Sequence, residues 1–151
     1  MQADKFTRKY RFADWPNLEV PVAAAGVYAI WRREELIYCG MSGRSILAGS
    51  ELPSKKHGLI TRLHSHASGR LSGDQFCVYV ANRLVLPQLT QEELAEFASG
   101  RHTLDGHTRR LIHSQFEYQF VTVSSGAEAM ALEAQCRRGL IFGQKPLLNP
   151  I

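Results

Sequence analysis

The feature that most restricts this chain is a pair of short β-rich runs split by four charged residues. Gly26-Val27-Tyr28-Ala29-Ile30-Trp31 leads into Arg32-Arg33-Glu34-Glu35 and then into Leu36-Ile37-Tyr38-Cys39. β-Branched and aromatic side chains favour extended backbone, and two such runs joined by so short a polar break predict an antiparallel hairpin. That hairpin would bring Tyr28 and Tyr38, which lie on its two arms, close together in space.

The rest of the chain divides by period and punctuation. Residues 40–58 are rich in Gly, Pro and Ser and read as a loop. From 59 to 67 the spacing changes: Leu59 and Leu63 lie four apart, as do Arg62 and His66, which places each pair on one side of a helix stopped at Gly69. Residues 75–86 alternate Phe76, Val78 and Val80 against Cys77, Tyr79 and Ala81, and predict a strand. Thr90-Gln91-Glu92-Glu93 matches a capping box and opens a helix ending near Gly100. A polar, basic stretch from Arg101 to Arg110 follows, and the alternating run 115–123 predicts another strand. Ser125-Gly126-Ala127-Glu128 is a second capping box, starting a helix that ends near Arg138. The tail from Gln144 is extended and limited by prolines. No internal repeat is visible. The sum is α+β: a small, mainly antiparallel sheet flanked by helices.

Composition narrows the class. Hydrophobic residues make up 44% of the 151, ordinary globular usage, and suggest a single domain. Eighteen Lys and Arg against fourteen Asp and Glu leave a formal charge of +4, which favours a polyanionic partner such as DNA. No run approaches the ~18 apolar residues that a membrane helix needs, and the polar N-terminus lacks the apolar core of a secretory signal. Three widely spaced cysteines with no C-x-x-C pair are not a disulfide framework, and a reducing cytoplasmic setting is the simpler expectation. Residues 1–20 form a basic lead-in in which Lys5, Arg8, Lys9 and Arg11 interleave with Phe6, Tyr10, Phe12 and Trp15. It reads either as an ordered arm packing its aromatics on the domain, or as a positive arm lying along phosphates.

Several polar side chains stand where a bland domain would not need them. Glu133 lies within Ala129-Met130-Ala131-Leu132-Glu133-Ala134, where a partly buried carboxylate calls for a partner: Arg137 at i,i+4, or a divalent cation. Tyr28, Tyr38, Arg62 and His66 have equally plain readings as sheet aromatics and a solvated helix face. His64 and His66 point to different faces of their helix, and no His/Cys pair has a finger-like zinc spacing. Gly40-x-x-Gly43-Arg44-Ser45 lacks the lysine of a P-loop.

Taken in order, these residues resemble the GIY-YIG nucleases. Gly26-Val27-Tyr28 and Tyr38-Cys39-Gly40 are similar to the paired half-motifs, with Val and Cys in place of the two isoleucines. The resemblance continues through Arg62, His66, Glu133 on the late helix and Asn149. It spans 26–149 and makes 21–151 a single catalytic domain, with stretches near 41–57 and 87–113 as inserts. It implies a metal-dependent DNA endonuclease. Glu133 would bind a single Mg²⁺ or Mn²⁺ largely through water, and Arg62 would hold the scissile phosphate. Tyr28 would serve as general base or orient the attacking water, with His66 as its proton relay, Tyr38 would position water or phosphate, and Asn149 would support the geometry. An ordinary phenol titrates near ~10, so the base role requires a depressed pKa or that relay. Arg44, Lys55, Lys56, Arg109 and Arg110 are candidate contacts to DNA, single- or double-stranded, for a protein acting as monomer or homodimer with no membrane attachment. The alternative is a non-catalytic nucleic-acid-binding module that keeps the fold.

Overall fold

The computed structural model describes residues 2–46 and 58–150. A four-stranded, wholly antiparallel sheet has the order β1-β4-β2-β3. Its strands are β1 (Tyr10–Arg11), β2 (Ala25–Arg32), β3 (Glu35–Ser42) and β4 (Glu117–Val123). Among the described residues, five α-helices surround it: α1 (Leu59–Ser68), α2 (Gln75–Val80), α3 (Gln91–Ala98), α4 (Leu104–Gln115) and α5 (Gly126–Arg137). The α+β expectation holds.

The hairpin forms as the sequence predicts, with a tighter turn. Arg32 and Glu35 belong to the strands and bridge at 2.8 Å, leaving Arg33 and Glu34 to make the reversal. Positive φ at Arg33 (56°) suits the twist of a two-residue connection. Register slips between Ile30 and Trp31, whose partners are Tyr38 and Leu36, so Ile37 is bulged out of the ladder. The bulge breaks simple alternation. Ile37 and Tyr38 both join the cluster under α1 and α2, while Leu36 and Cys39 join the cluster under α5.

Strand β2 is buried on both faces because it runs between these two layers. Tyr28 and Ile30 meet Leu59 and Leu63 of α1, Phe76 and Val80 of α2 and Ile112 of α4. Val27, Ala29 and Trp31 meet Ala129, Leu132 and Cys136 of α5. Each fully buried Leu or Phe contributes about 1.5–3 kcal/mol, so both layers anchor the strand that carries Tyr28. Gly26 permits the close approach of α1, since a Cβ there would overlap Leu59 and the Val121 carbonyl oxygen.

The strand expected over 75–86 is instead helical: α2 is followed by a wide turn over Ala81–Val85 and a tight one over Leu86–Gln88. Phe76, Cys77, Val80, Ala81, Leu84 and Val85 are the buried positions, a helical stripe rather than a two-residue alternation. An almost continuously apolar run satisfies both periods, and Asp74, whose carboxylate caps the Cys77 N–H at 2.9 Å, decides for the helix. The basic stretch after Arg101 also becomes helical, as α4 begins on a Thr103 cap.

Thr90 and Glu93 form the reciprocal capping box, at 3.1 and 3.0 Å. At α5, Ser125 caps the Glu128 N–H, but the Glu128 carboxylate bonds the N–H and hydroxyl of Ser124, one residue earlier than the box requires. In the lead-in, Phe6 and Phe12 are buried, and Tyr10 and Arg11 pair with β4. The tail runs along the outer edge of β3, where Leu147 and Leu148 donate to the Leu36 and Ile37 carbonyls. A sheet edge is thereby covered. Among the described residues, no helix is long and apolar enough to cross a membrane.

Candidate functional site

A cleft of about 690 Å³ opens where the two arms of the hairpin, the turn after β3, the first turns of α1, the start of α2, the middle of α5 and the tail converge. Tyr28, Tyr38, Arg62, Glu133 and Asn149 all line it, although the sequence scatters them along most of the chain. His66 lies behind Tyr28, with its Nε2 2.7 Å from the phenol oxygen.

Local structure explains each placement. Register sets Tyr28 opposite Gly40, and a Cβ at Gly40 would overlap the Tyr28 hydroxyl; the glycine gives the phenol room to lie across the neighbouring strand. Replacing Gly40 with alanine is therefore expected to destabilise the protein by about 1–3 kcal/mol, the usual cost of overpacking, as read from urea unfolding. An unchanged midpoint would show that the ring moves aside freely. The bulge at Ile37 turns Tyr38 toward the same side, with its ring centroid 6.4 Å from that of Tyr28. One helical turn separates Arg62, exposed in the cleft, from His66, buried against both tyrosines. Asn149 straddles the edge of β3: its amide donates to the Cys39 carbonyl at 2.9 Å and its oxygen accepts the Cys39 N–H at 2.8 Å.

The cleft is cationic. Among the described residues, Arg44, Arg62 and Arg137 supply three guanidiniums against the single carboxylate of Glu133. Arg137 donates to Glu133 at 3.3 Å and to the Pro150 carbonyl at 2.7 Å, so it ties the late helix to the tail. Glu133 keeps 18% of its side chain exposed, enough to take a ligand from the cleft. Among the described residues, no three His, Cys, Asp or Glu side chains gather as a ligand cluster. One carboxylate, with water completing the shell, is a donor set that suits a hard cation retaining its hydration.

Titration in this region is governed by burial. Tyr28 is pushed well above the ordinary phenol value by desolvation and by Tyr38, against the opposing pull of Arg62. Tyr38 is raised to about 12 by desolvation and by Glu133. The depressed phenol that direct base action would need is absent from Tyr28; what is present is the neighbouring imidazole. Behind that imidazole stands Asp74, with Oδ2 2.7 Å from His66 Nδ1 and 2.6 Å from the Ser65 hydroxyl. Burial opposes its ionisation, but the hydrogen bonds from His66, Ser65 and the Cys77 N–H prevail and hold its pKa at about 2.

No family model, curated protein or solved structure matches this chain.

The remaining candidates divide. Arg44 lines the cleft beside the turn after β3. Arg109 and Arg110 are exposed on α4 and are not part of the lining. Lys55 and Lys56 lie outside the described residues. His64 turns away from the site and accepts from the Trp15 indole at 3.2 Å. Asp74, Gln75 and Tyr79 were not among the residues singled out from the sequence; Gln75 and Tyr79 lie in the segment 75–86 expected as a strand, and Asp74 lies just before it. Their signal was present, because an Asp just before an apolar run is an N-cap signature.

Proposed function

We propose that this protein is a metal-dependent DNA endonuclease of the GIY-YIG type, hydrolysing phosphodiester bonds in the cleft between β2, α1 and α5. The observation that carries the reading is the convergence of Tyr28, Tyr38, Arg62, Glu133 and Asn149 on one cationic cleft, with His66 in contact behind Tyr28. Taken singly, each residue has a structural explanation. Jointly they supply the parts that phosphodiester hydrolysis requires.

Arg62 holds the scissile phosphate, its planar fork matching two phosphoryl oxygens. Tyr28 accepts a proton from the attacking water while passing its own to His66 Nε2. The water oxygen bonds to phosphorus, the bond to O3′ breaks, and the 3′ oxygen leaves with a proton from solvent, giving a 5′-phosphate and a 3′-hydroxyl. Tyr38, fully protonated at neutral pH, donates a hydrogen bond to the water or the phosphate. Asn149 fixes the strand edge on which Tyr38 and Gly40 stand. Glu133 would hold one Mg²⁺ or Mn²⁺, which when bound neutralises phosphoryl charge and acidifies a water for the leaving oxygen. Arg44 and Arg137 contact flanking phosphates, and Lys55, Lys56, Arg109 and Arg110 extend the contact with nucleic acid. A cytoplasmic setting belongs to the same proposal; the thiols of Cys39, Cys77 and Cys136 are free and buried.

The test is incubation of supercoiled plasmid and single-stranded DNA with the intact protein in Mg²⁺ and in chelator. Cleavage only with the metal, leaving ends that ligate as 5′-phosphates, is the expected result. Salt-sensitive DNA binding with no cleavage under any metal would replace the enzyme with a binding module on the same fold.

A further inference from the structure

We propose that Asp74 is the positioning residue of the Tyr28–His66 pair: it fixes His66 as the Nδ1–H tautomer, so that Nε2 is the atom that takes the tyrosine's proton. This rests on the nuclease reading for its function, though not for its geometry.

The hydrogen-bond inventory leaves one arrangement. Asp74 is buried, with 3% of its surface exposed, and its carboxylate is surrounded by donors. One oxygen accepts the Cys77 N–H at the start of α2, and the other faces both the Ser65 hydroxyl and His66 Nδ1. Held at about 2, the carboxyl is ionised at any working pH and can only accept. His66 Nδ1 must then carry the hydrogen. In a neutral imidazole the other nitrogen is an acceptor, and that nitrogen is the one 2.7 Å from the Tyr28 oxygen. The phenol, raised by burial, keeps its hydrogen and donates it. When the proton moves to Nε2, the ring becomes an imidazolium with an ionised carboxylate already beside it, at a site where only 3% of His66 is exposed. Burying that charge without a counter-ion would be costly. Asp74 thus selects the tautomer and compensates the transferred charge. A third carboxylate or amide orienting the base is the same physical logic that governs hydrolases with a buried acid behind a histidine.

Position strengthens the case. Asp74 caps α2, so the carboxylate is held by the helix that packs Phe76 against the His66 ring, with centroids 4.7 Å apart. Ring and carboxylate are held by separate elements, α1 and the start of α2, and neither needs to move for the proton to pass.

Asparagine at 74 separates this role from helix capping. Its carbonyl retains the cap on Cys77, since Asn and Asp cap equally well. Its NH₂ would occupy the place of the oxygen that faces His66, donate to Nδ1 and drive the ring to the Nε2–H form, which cannot accept from Tyr28. The experiment is ¹⁵N NMR of the imidazole nitrogens in the intact protein and in Asp74→Asn, with His66 assigned by difference against His66→Gln. Intact protein should show protonated Nδ1 and bare Nε2, and Asp74→Asn should show the reverse. Single-turnover cleavage should fall about 10- to 100-fold with DNA affinity unchanged, the usual range for a group acting through another. A bare Nδ1 in the intact protein overturns the proposal whether or not the variant folds. A reversed tautomer with undiminished cleavage also overturns it, because the relay would then not need Asp74. If the intact protein cuts no DNA, the nuclease reading fails by itself, and the tautomer measurement still decides whether Asp74 fixes the ring.

Discussion

Glu133→Ala is expected to lower Mg²⁺-supported DNA cleavage by about 10³-fold or more while DNA binding is kept or tightened. Among the described residues, Glu133 is the one carboxylate lining a cleft that also holds Arg44, Arg62 and Arg137. Removing it takes away the strong ligand that the described residues offer a hard cation there, and with it the several kcal/mol of transition-state charge stabilisation that such an ion supplies. At about 1.36 kcal/mol per decade, that becomes three powers of ten. Binding should move the other way, since three guanidiniums then face the phosphates unopposed. The fold has little at stake: Arg137 keeps its bond to the Pro150 carbonyl, alanine is a good helix former, and a partly exposed i,i+4 pair contributes only a few tenths of a kcal/mol. Single-turnover kinetics beside a salt titration of binding separate the two effects. Cleavage at the original rate would remove Glu133 from the site and leave it a plain partner of Arg137. Loss of binding and cleavage together would instead point to a folding defect, which a thermal melt exposes.

Much of this site was legible because its parts sit on elements with strong local signals. The hairpin announced itself through composition and a polar break, so it could be argued from sequence that Tyr28 and Tyr38, on its two arms, lie near one another. Helix α1 was readable from the four-residue spacing of Leu59 with Leu63 and of Arg62 with His66, and its end from Gly69. The bulge at Ile37 was not readable, yet it is what turns Tyr38 toward the same side as Tyr28. A single unpaired residue leaves no mark in the pattern of a four-residue run.

The segment 75–86 failed for a different reason. When nearly every residue is apolar, periods of two and of 3.6 residues both find matches, and only the ends discriminate. Gly73-Asp74 was such an end signal, and weighting it would have placed Gln75 and Tyr79 one helical turn apart on the cleft and Phe76 and Val80 in the core. The missed cap is also the missed Asp74, because one carboxylate both starts the helix and braces His66. Arg137 was visible as a partner of Glu133 and as a cation at the end of the late helix; its second bond, to the tail, is a long-range contact that helical spacing does not encode. The capping boxes show the same limit. Thr90 and Glu93 close reciprocally, whereas Glu128 turns to Ser124, because that serine presents both a backbone N–H and a hydroxyl.

Tyr28→Phe is expected to slow cleavage by about 10³-fold, within the range that a positioned proton acceptor contributes, with DNA affinity nearly unchanged. Only 2% of Tyr28 is exposed, so the substitution removes little binding surface, and the phenylalanine ring still fills the space over Gly40. What it loses is the oxygen 2.7 Å from His66. Burial already forbids a free phenolate at neutral pH, so the phenol can serve as a base only by handing its proton to the imidazole as it receives another. Stability should fall by about 1–3 kcal/mol, because His66 Nε2 is left buried without its partner. The decisive measurement is the double variant. If phenol and imidazole work as one relay, Tyr28→Phe combined with His66→Ala should be about as slow as the slower single variant, since either change alone breaks the same proton path. Multiplicative losses in single-turnover cleavage, with all three variants folded by circular dichroism, would mean that the two side chains act independently. His66 would then be a packing partner of Tyr28, and the water would have to lose its proton elsewhere.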